Sequence, residues 1–178
     1  GYSMRAFQVP SSPVFLAALG ADVAAMPFPD VIPGLQTGLI QGGEAGAMTY
    51  ASYGLAPVAG HYTLTRHAYS SGVYAANSEW FDALDPELQG ALRRAVPNAT
   101  EVRQRVRARN SSDLEQAVRR GSIIHEPTTI EKMAWRNATK AVPQKLVEQI
   151  GGQAAAIHAR ILGGKASYAN LKRTSDDK

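Results

Sequence analysis

Few residues in the first part of this 178-residue chain could do chemistry, and Arg5 stands out among them. It is the only Lys or Arg in the first 65 residues, and it sits on an apolar stretch with Ala6, Phe7 and Val9. A partly buried guanidinium needs an anion, and its planar fork suits a carboxylate bidentately. Arg5 is therefore either a ligand anchor or half of a structural ion pair with Asp22, Asp30 or Glu44, because buried charges are normally paired. Glu44 lies in the small-residue patch Gly42-Gly43-Glu44-Ala45-Gly46. Glycines allow close backbone approach, but the patch has neither phosphate-loop pattern and reads as a tight strand-to-helix turn. His61 and His67 flank a β-rich stretch; with Glu44 they lack a metal-ligand spacing. Neither a nucleophile nor an orienting acid accompanies them, and His67 alone reads as a hydrogen-bonded structural histidine. No metal, cofactor or enzymatic centre is expected. Arg103, Arg105, Arg107 and Arg109 alternate on a helical segment, which spreads them around its surface. They read as a solvated face, since no nucleic-acid-binding motif accompanies them.

Composition bounds the fold that must position these groups. Hydrophobic residues make up 44% of the chain, enough for a core, so disorder and coiled coil are excluded as its dominant character. No apolar run approaches the ~18 residues of a membrane span. The absence of Cys removes disulfides, thiolate zinc sites and cysteine nucleophiles. The net charge of +4 is mildly basic and does not by itself imply nucleic acid. The charge is unevenly spread: up to Ser78 the only charged residues are Arg5, Asp22, Asp30, Glu44 and Arg66. A free-standing domain carries charge over its whole surface, so this part reads as core or as surface covered by something else. The strand-like start at Gly1 leads us to expect a fragment of a longer protein.

The pattern of elements is α/β. Residues 2–9 read as a strand, followed by a turn at Pro10–Pro13 and a short helix with Ser11 and Ser12 as cap candidates. A strand at 22–27, a helix from Val31 to Thr37 stopped by Gly38, a strand at Leu39-Ile40 and a helix at 48–59 follow. This alternation signals βαβ units and a parallel sheet. Tyr62 to Ala76 is rich in β-formers and reads as one long strand, or as two broken near Ser70-Ser71-Gly72. Asp85-Pro86-Glu87 starts a helix that continues to Arg120 with a break at Pro97. A strand at 122–125 and helices from Ile130 complete the pattern, and residues 163–178 read as a tail.

In order, the chain carries Gly1-Tyr2-Ser3-Met4-Arg5, Leu19-Gly20-Ala21, Met26-Pro27-Phe28 and Leu35-Gln36-Thr37-Gly38. Then come Gly42-Gly43-Glu44, Leu64-Thr65-Arg66-His67, Asn77 with Trp80-Phe81, and Leu84-Asp85-Pro86-Glu87-Leu88-Gln89. This series resembles the C-terminal half of the DctP-type solute-binding proteins of tripartite ATP-independent periplasmic (TRAP) transporters. The resemblance covers the first 90 residues closely and the rest by helical pattern. It implies the C-terminal part of a bilobal periplasmic-binding-protein fold: a small mixed sheet flanked by helices, plus a long scaffold helix, with the N-terminal lobe absent. On that basis residues 1–66 are the ligand-cleft lobe and 67–120 the inter-lobe crossing strand and long helix. Residues 121–162 are the returning strand and C-terminal helices, and 163–178 the tail.

The resemblance further implies a periplasmic receptor that binds a small organic acid and delivers it to membrane permease subunits. Arg5 stands where the family holds the ligand carboxylate. Gln8, Phe28, Glu44, Ala45 and His67 fall at positions around the ligand, and Tyr50 and Tyr69 are further candidates for an apolar wall. Ala45 and Gly46 replace the Asn-Pro or Trp that often follows the Glu, and Gln41 replaces the Asp before it. These changes remove a side-chain hydrogen bond to the ligand and argue against sialic acid. The expected partners are the acid, the permease and the missing N-terminal lobe or a second copy of the chain. The alternative is an association module that pairs with another chain or with itself.

Overall fold

The computed structural model describes residues 1–69 and 72–176, with side chains through Tyr168. In chain order the elements begin β1 (Ser3–Ala6), α1 (Ser11–Ala18), β2 (Asp22–Ala25), a 3-10 turn (Phe28–Asp30), α2 (Val31–Thr37) and β3 (Gly42–Gly43). Next come α3 (Ala47–Ser52), β4 (His61–Thr63), α4 (Ser78–Asp82), α5 (Pro86–Ala95) and α6 (Ala99–Arg119). β5 (Ile123–His125), α7 (Thr129–Thr139), α8 (Val142–Ile150) and α9 (Ala154–Asp176) close the chain. Two compact units result: Gly1–Glu44 together with Thr128–Lys178, and Ala45–Pro127. The α/β architecture of small sheets flanked by helices is the expected one, and every strand pairing among the described residues is parallel.

In the first unit β1 is the central strand of the order β2-β1-β3. Arg5 pairs with Ala24 on one side and with Gly43 on the other. The chain leaves β1 to one side through α1 and passes to the other side through α2, so the sheet has a topological switch between β1 and β3. Ala6, Leu16, Val31, Ile40 and Val142 are buried and form the core. Each large one contributes about 1.5–3 kcal/mol by leaving water. α1 packs on β1, β2, α7 and α8, with Phe15 and Trp135 as tilted rings 6.3 Å apart. α2 stops where Gly38 takes φ 75°, a left-handed end that suits glycine. A full capping box starts α7, as the Thr128-Thr129 pair suggests: Thr128 Oγ1 accepts from Glu131 N–H, and the Glu131 carboxylate accepts from Thr128 N–H.

In the second unit α3 packs on α6, burying Tyr50, Leu55, Ala56 and Ala117. Tyr50 and Tyr62 stack with ring centroids 4.5 Å apart. The caps read from sequence form: Asp85 accepts from Leu88 N–H, Pro86 takes the first helical position, and Asn98 restarts the helix just after Pro97.

Four local expectations change. The third strand lies at Gly42–Gly43 rather than at Leu39-Ile40. Ile40 instead turns into the core, and its N–H bonds to the Gly34 carbonyl. The helix read over 48–59 is only Ala47–Ser52, because the chain turns at Gly54 with φ 81°. The long strand read over 62–76 is three residues, His61–Thr63. Its partner β5 is equally short, and the ladder closes with Leu64 N–H to the His125 carbonyl. β-forming side chains make a strand only where a ladder partner exists, and Tyr69, Val73 and Tyr74 are exposed. Ser70 and Ser71, read as a break, lie outside the described residues. The segment read as a tail is helical as far as Asp176.

Candidate ligand site at the carboxyl ends of the parallel strands

Arg5 is only 5% exposed, held by the pairing of its strand on both sides. Its close neighbour on β3 is Gly43, where an added Cβ would come within 3.0 Å of Arg5 Cβ and 3.1 Å of its carbonyl oxygen. A glycine there lets β3 approach the arginine strand. Arg5 Nε donates to the Met26 carbonyl at 3.3 Å, just beyond β2, and the guanidinium carbon lies 4.4 Å from the Phe7 ring centroid. Among the described residues no Asp or Glu forms an ion pair with it within 4.0 Å. The structural-pair reading with Asp22, Asp30 or Glu44 therefore has no contact to stand on. Burial pulls the guanidinium below its ordinary pKa, and the charge of nearby Glu44 works in the opposite direction. No fully buried side-chain polar atom among the described residues lacks a hydrogen-bond partner. The terminal nitrogens of Arg5, which carry no such bond, are thus the part that reaches the surface.

Glu44 directly follows β3, is half-buried, and accepts a hydrogen bond from Ser12 Oγ. Phe28 follows β2, half-buried at the start of the 3-10 turn. Gln8 follows β1 and is exposed. Arg5, Gln8, Phe28 and Glu44 thus share the carboxyl ends of three parallel strands, and Arg5 and Glu44 flank the switch between β1 and β3. Open parallel α/β sheets bind ligands at that place. An arginine with free terminal donors can take a carboxylate there, and an aromatic ring beside it can shed water from the ligand body.

The remaining candidates belong to the second unit. The Ala45 carbonyl accepts from Tyr62 O–H at 2.9 Å. His67 is exposed, with Nδ1 2.6 Å from Thr65 Oγ1. Tyr50 is a core residue whose hydroxyl donates to the Ala59 carbonyl at 2.8 Å, so it lines no open wall. Tyr69 is 93% exposed. Two cavities, of about 270 and 450 Å³, lie in this unit and touch none of the candidate residues. No group of three or more His, Cys, Asp or Glu among the described residues could hold a metal ion.

The site also uses residues that sequence reasoning left out. Ser12 is not a helix cap: Pro10 occupies that position without a side-chain bond. The serine hydroxyl bonds Phe7 and Glu44 instead. Its only signal in the sequence was a polar residue opening an apolar helix. The Met26 carbonyl had none, because backbone groups are invisible in residue types.

Comparison with known proteins decides the family. The model described as bacterial extracellular solute-binding protein, family 7 (DctP), matches residues 1–150. The chain belongs to this family. The DctP resemblance read from Arg5, Glu44 and the ordered motifs is thereby borne out. The chain is 27% identical over 138 residues to the C4-dicarboxylate-binding periplasmic protein DctP of Rhodobacter capsulatus, covering 76% of this chain and 41% of that protein. It is 28% identical over 131 residues to the 2,3-diketo-L-gulonate-binding periplasmic protein YiaO of Escherichia coli, covering 72% and 40%. A TRAP periplasmic solute-binding protein from Citrobacter koseri, solved with bound D-glucuronate, matches with TM-score 0.68 at 28% identity over 89% of this chain and 52% of that one. This DctP-family chain therefore spans about two fifths to one half of the length of these relatives. They are binding proteins, not enzymes, in keeping with the non-enzymatic reading.

Proposed function

We propose that this DctP-family chain forms part of a periplasmic receptor for an organic acid, with Arg5 as the carboxylate anchor. The observation that carries the reading is a buried arginine, at the switch point of a parallel sheet, with no Asp or Glu among the described residues in ion-pair contact. A buried cation without such a partner is costly, and a ligand anion removes that cost. Relatives named for a C4-dicarboxylate and 2,3-diketo-L-gulonate, and one holding D-glucuronate, support an acid as the ligand class. Phe28 and Gln8 flank the anion. The receptor hands its acid to membrane permease subunits of a tripartite ATP-independent transporter. The rest of the cleft is supplied by sequence outside these residues. No described helix is long and apolar enough to cross a membrane.

Calorimetry tests it with pyruvate, lactate, succinate, D-gluconate, D-glucuronate and benzoate. We expect binding of at least one acid that vanishes in Arg5→Ala. Binding unchanged in Arg5→Ala, or no binding of any acid by the folded full-length receptor, would overturn the assignment.

A further inference from the structure

Phe7 stands one residue beyond β1. The period of two along an extended chain carries its side chain to the face that Arg5 occupies. Its N–H donates to Ser12 Oγ at 2.8 Å, which fixes the backbone at the strand exit. The ring is 38% exposed, so it is not spent on the core around Ala6, Leu16 and Ile40. Its contact is with the guanidinium: Arg5 Cζ sits over the ring, 4.4 Å from the centroid. That is well inside the ~6 Å at which the negative face of a ring attracts a cation. Arg5 is held at a second point, where Nε donates to the Met26 carbonyl at 3.3 Å. This bond is longer than the usual ~2.7–3.2 Å of an N–H···O bond and restrains the group only weakly by itself. With Nε spent on Met26, the two terminal nitrogens are the edge left for a ligand. A fork binds a carboxylate bidentately only when both of its nitrogens face the anion together.

We propose that Phe7 is a positioning residue: its ring holds the Arg5 guanidinium in one orientation and so presents both terminal nitrogens together to a ligand carboxylate. The proposal rests on the reading of Arg5 as the carboxylate anchor. Without the ring, the long arginine side chain samples other rotamers, and apparent affinity falls with the fraction that is competent to bind. In a partly buried setting the contact is worth a factor of about five in that population. The effect belongs to the π face and not to bulk. Tyrosine keeps that face, whereas leucine covers similar ground without the charge distribution that attracts a cation.

The test uses the full-length receptor and the variants Phe7→Leu, Phe7→Tyr and Arg5→Ala. The first readout needs no ligand: nitrogen-15 relaxation of the Arg5 Nε–H, whose resonance is identified by its loss in Arg5→Ala. Its order parameter should be near ~0.85 in the parent and in Phe7→Tyr, and below ~0.6 in Phe7→Leu. The second is calorimetry with D-glucuronate and succinate. Phe7→Leu should bind about fivefold more weakly than the parent, and Phe7→Tyr should stay within twofold of it. Urea unfolding accompanies both, because a mere packing role would lower the midpoint of Phe7→Leu and leave the Nε–H order unchanged. An Arg5 Nε–H as ordered in Phe7→Leu as in the parent would overturn the proposal. Binding lost in Arg5→Ala but within twofold of the parent in Phe7→Leu would defeat it while leaving the anchor reading intact. Acid binding that ignores Arg5→Ala would defeat the anchor reading, and the proposal with it.

Discussion

Replacing Arg5 with Met separates a ligand anchor from a structural ion pair, because the two roles predict different stabilities. Methionine fills a similar volume without the charge. If Arg5 were half of a buried salt bridge, its loss would strand a carboxylate and cost about 3–5 kcal/mol. The structure shows no such carboxylate in contact. What the substitution removes is the Nε–H bond to the Met26 carbonyl, about 1.5–3 kcal/mol for a charged donor, and the contact with the Phe7 ring, about 0.5–1 kcal/mol. What it recovers is the desolvation penalty of a cation only 5% exposed, several kcal/mol. These terms nearly cancel, so the fold should change by no more than about 1 kcal/mol. With a urea m-value of about 2 kcal/mol/M, the midpoint should move by no more than about 0.5 M, against about 2 M for a broken ion pair. Acid affinity should meanwhile fall at least ~30-fold, the cost of removing one partner of a buried charge pair. Urea unfolding followed by circular dichroism, together with calorimetry against D-glucuronate and succinate, reads both. A midpoint loss near 2 M with acid binding intact would refute the reasoning.

Three further outcomes follow from other parts of the molecule. Gly43→Ala places a methyl 3.0 Å from Arg5 Cβ and 3.1 Å from its carbonyl, atoms of the central strand that cannot give way easily. It should cost about 1–3 kcal/mol in urea unfolding, whereas Gly46→Ala, with open space around it, should not pack against anything. Arg109 donates through Nε to both oxygens of Asp113, which is 2% exposed, at 2.8 and 2.9 Å. Arg109→Ala should cost about 1–3 kcal/mol by leaving a buried acceptor short of its donor. Arg119→Ala, which breaks an exposed pair at 3.8 Å, should cost no more than about 1 kcal/mol. Burial first, and Tyr50 beside it second, raise the pKa of the Tyr62 phenol above its ordinary value. The folded form therefore holds that proton more tightly than the unfolded chain. Its stability contribution is complete below about pH 10 and is lost as the pH rises through the folded value. Thermal unfolding from pH 8 to 11 should show a steeper alkaline loss in the parent than in Tyr62→Phe.

Residue types and their spacing were enough to locate β1, β2, α1 and α2 in the first unit. Pro29-Asp30 and Gly38 bracket α2, Gly20 ends the turn after α1, and Asp85-Pro86 opens α5 through local backbone chemistry that needs no distant partner. The family could be read from the ordered series running from Arg5 to Gln89, and Arg5 itself drew notice as a lone base on an apolar strand. The third strand was misplaced by three residues because hydrophobicity marked Leu39-Ile40, whereas pairing selected the glycines that can approach Met4 and Arg5. The long strand failed for the same kind of reason. β propensity marks side chains that suit a sheet, but a ladder forms only against a partner, and β4 meets one for three residues.

The sequence by itself therefore determined the α/β class and the family, and it singled out Arg5 as a lone base on an apolar strand. Only the tertiary structure decided that no acid among the described residues forms an ion pair with Arg5, that Ser12 bonds Glu44 rather than its own helix, and that Tyr50 is core. Those facts depend on distances between segments far apart in the chain. Each is set by how strands pair and helices pack, and local residue preferences carry no record of either.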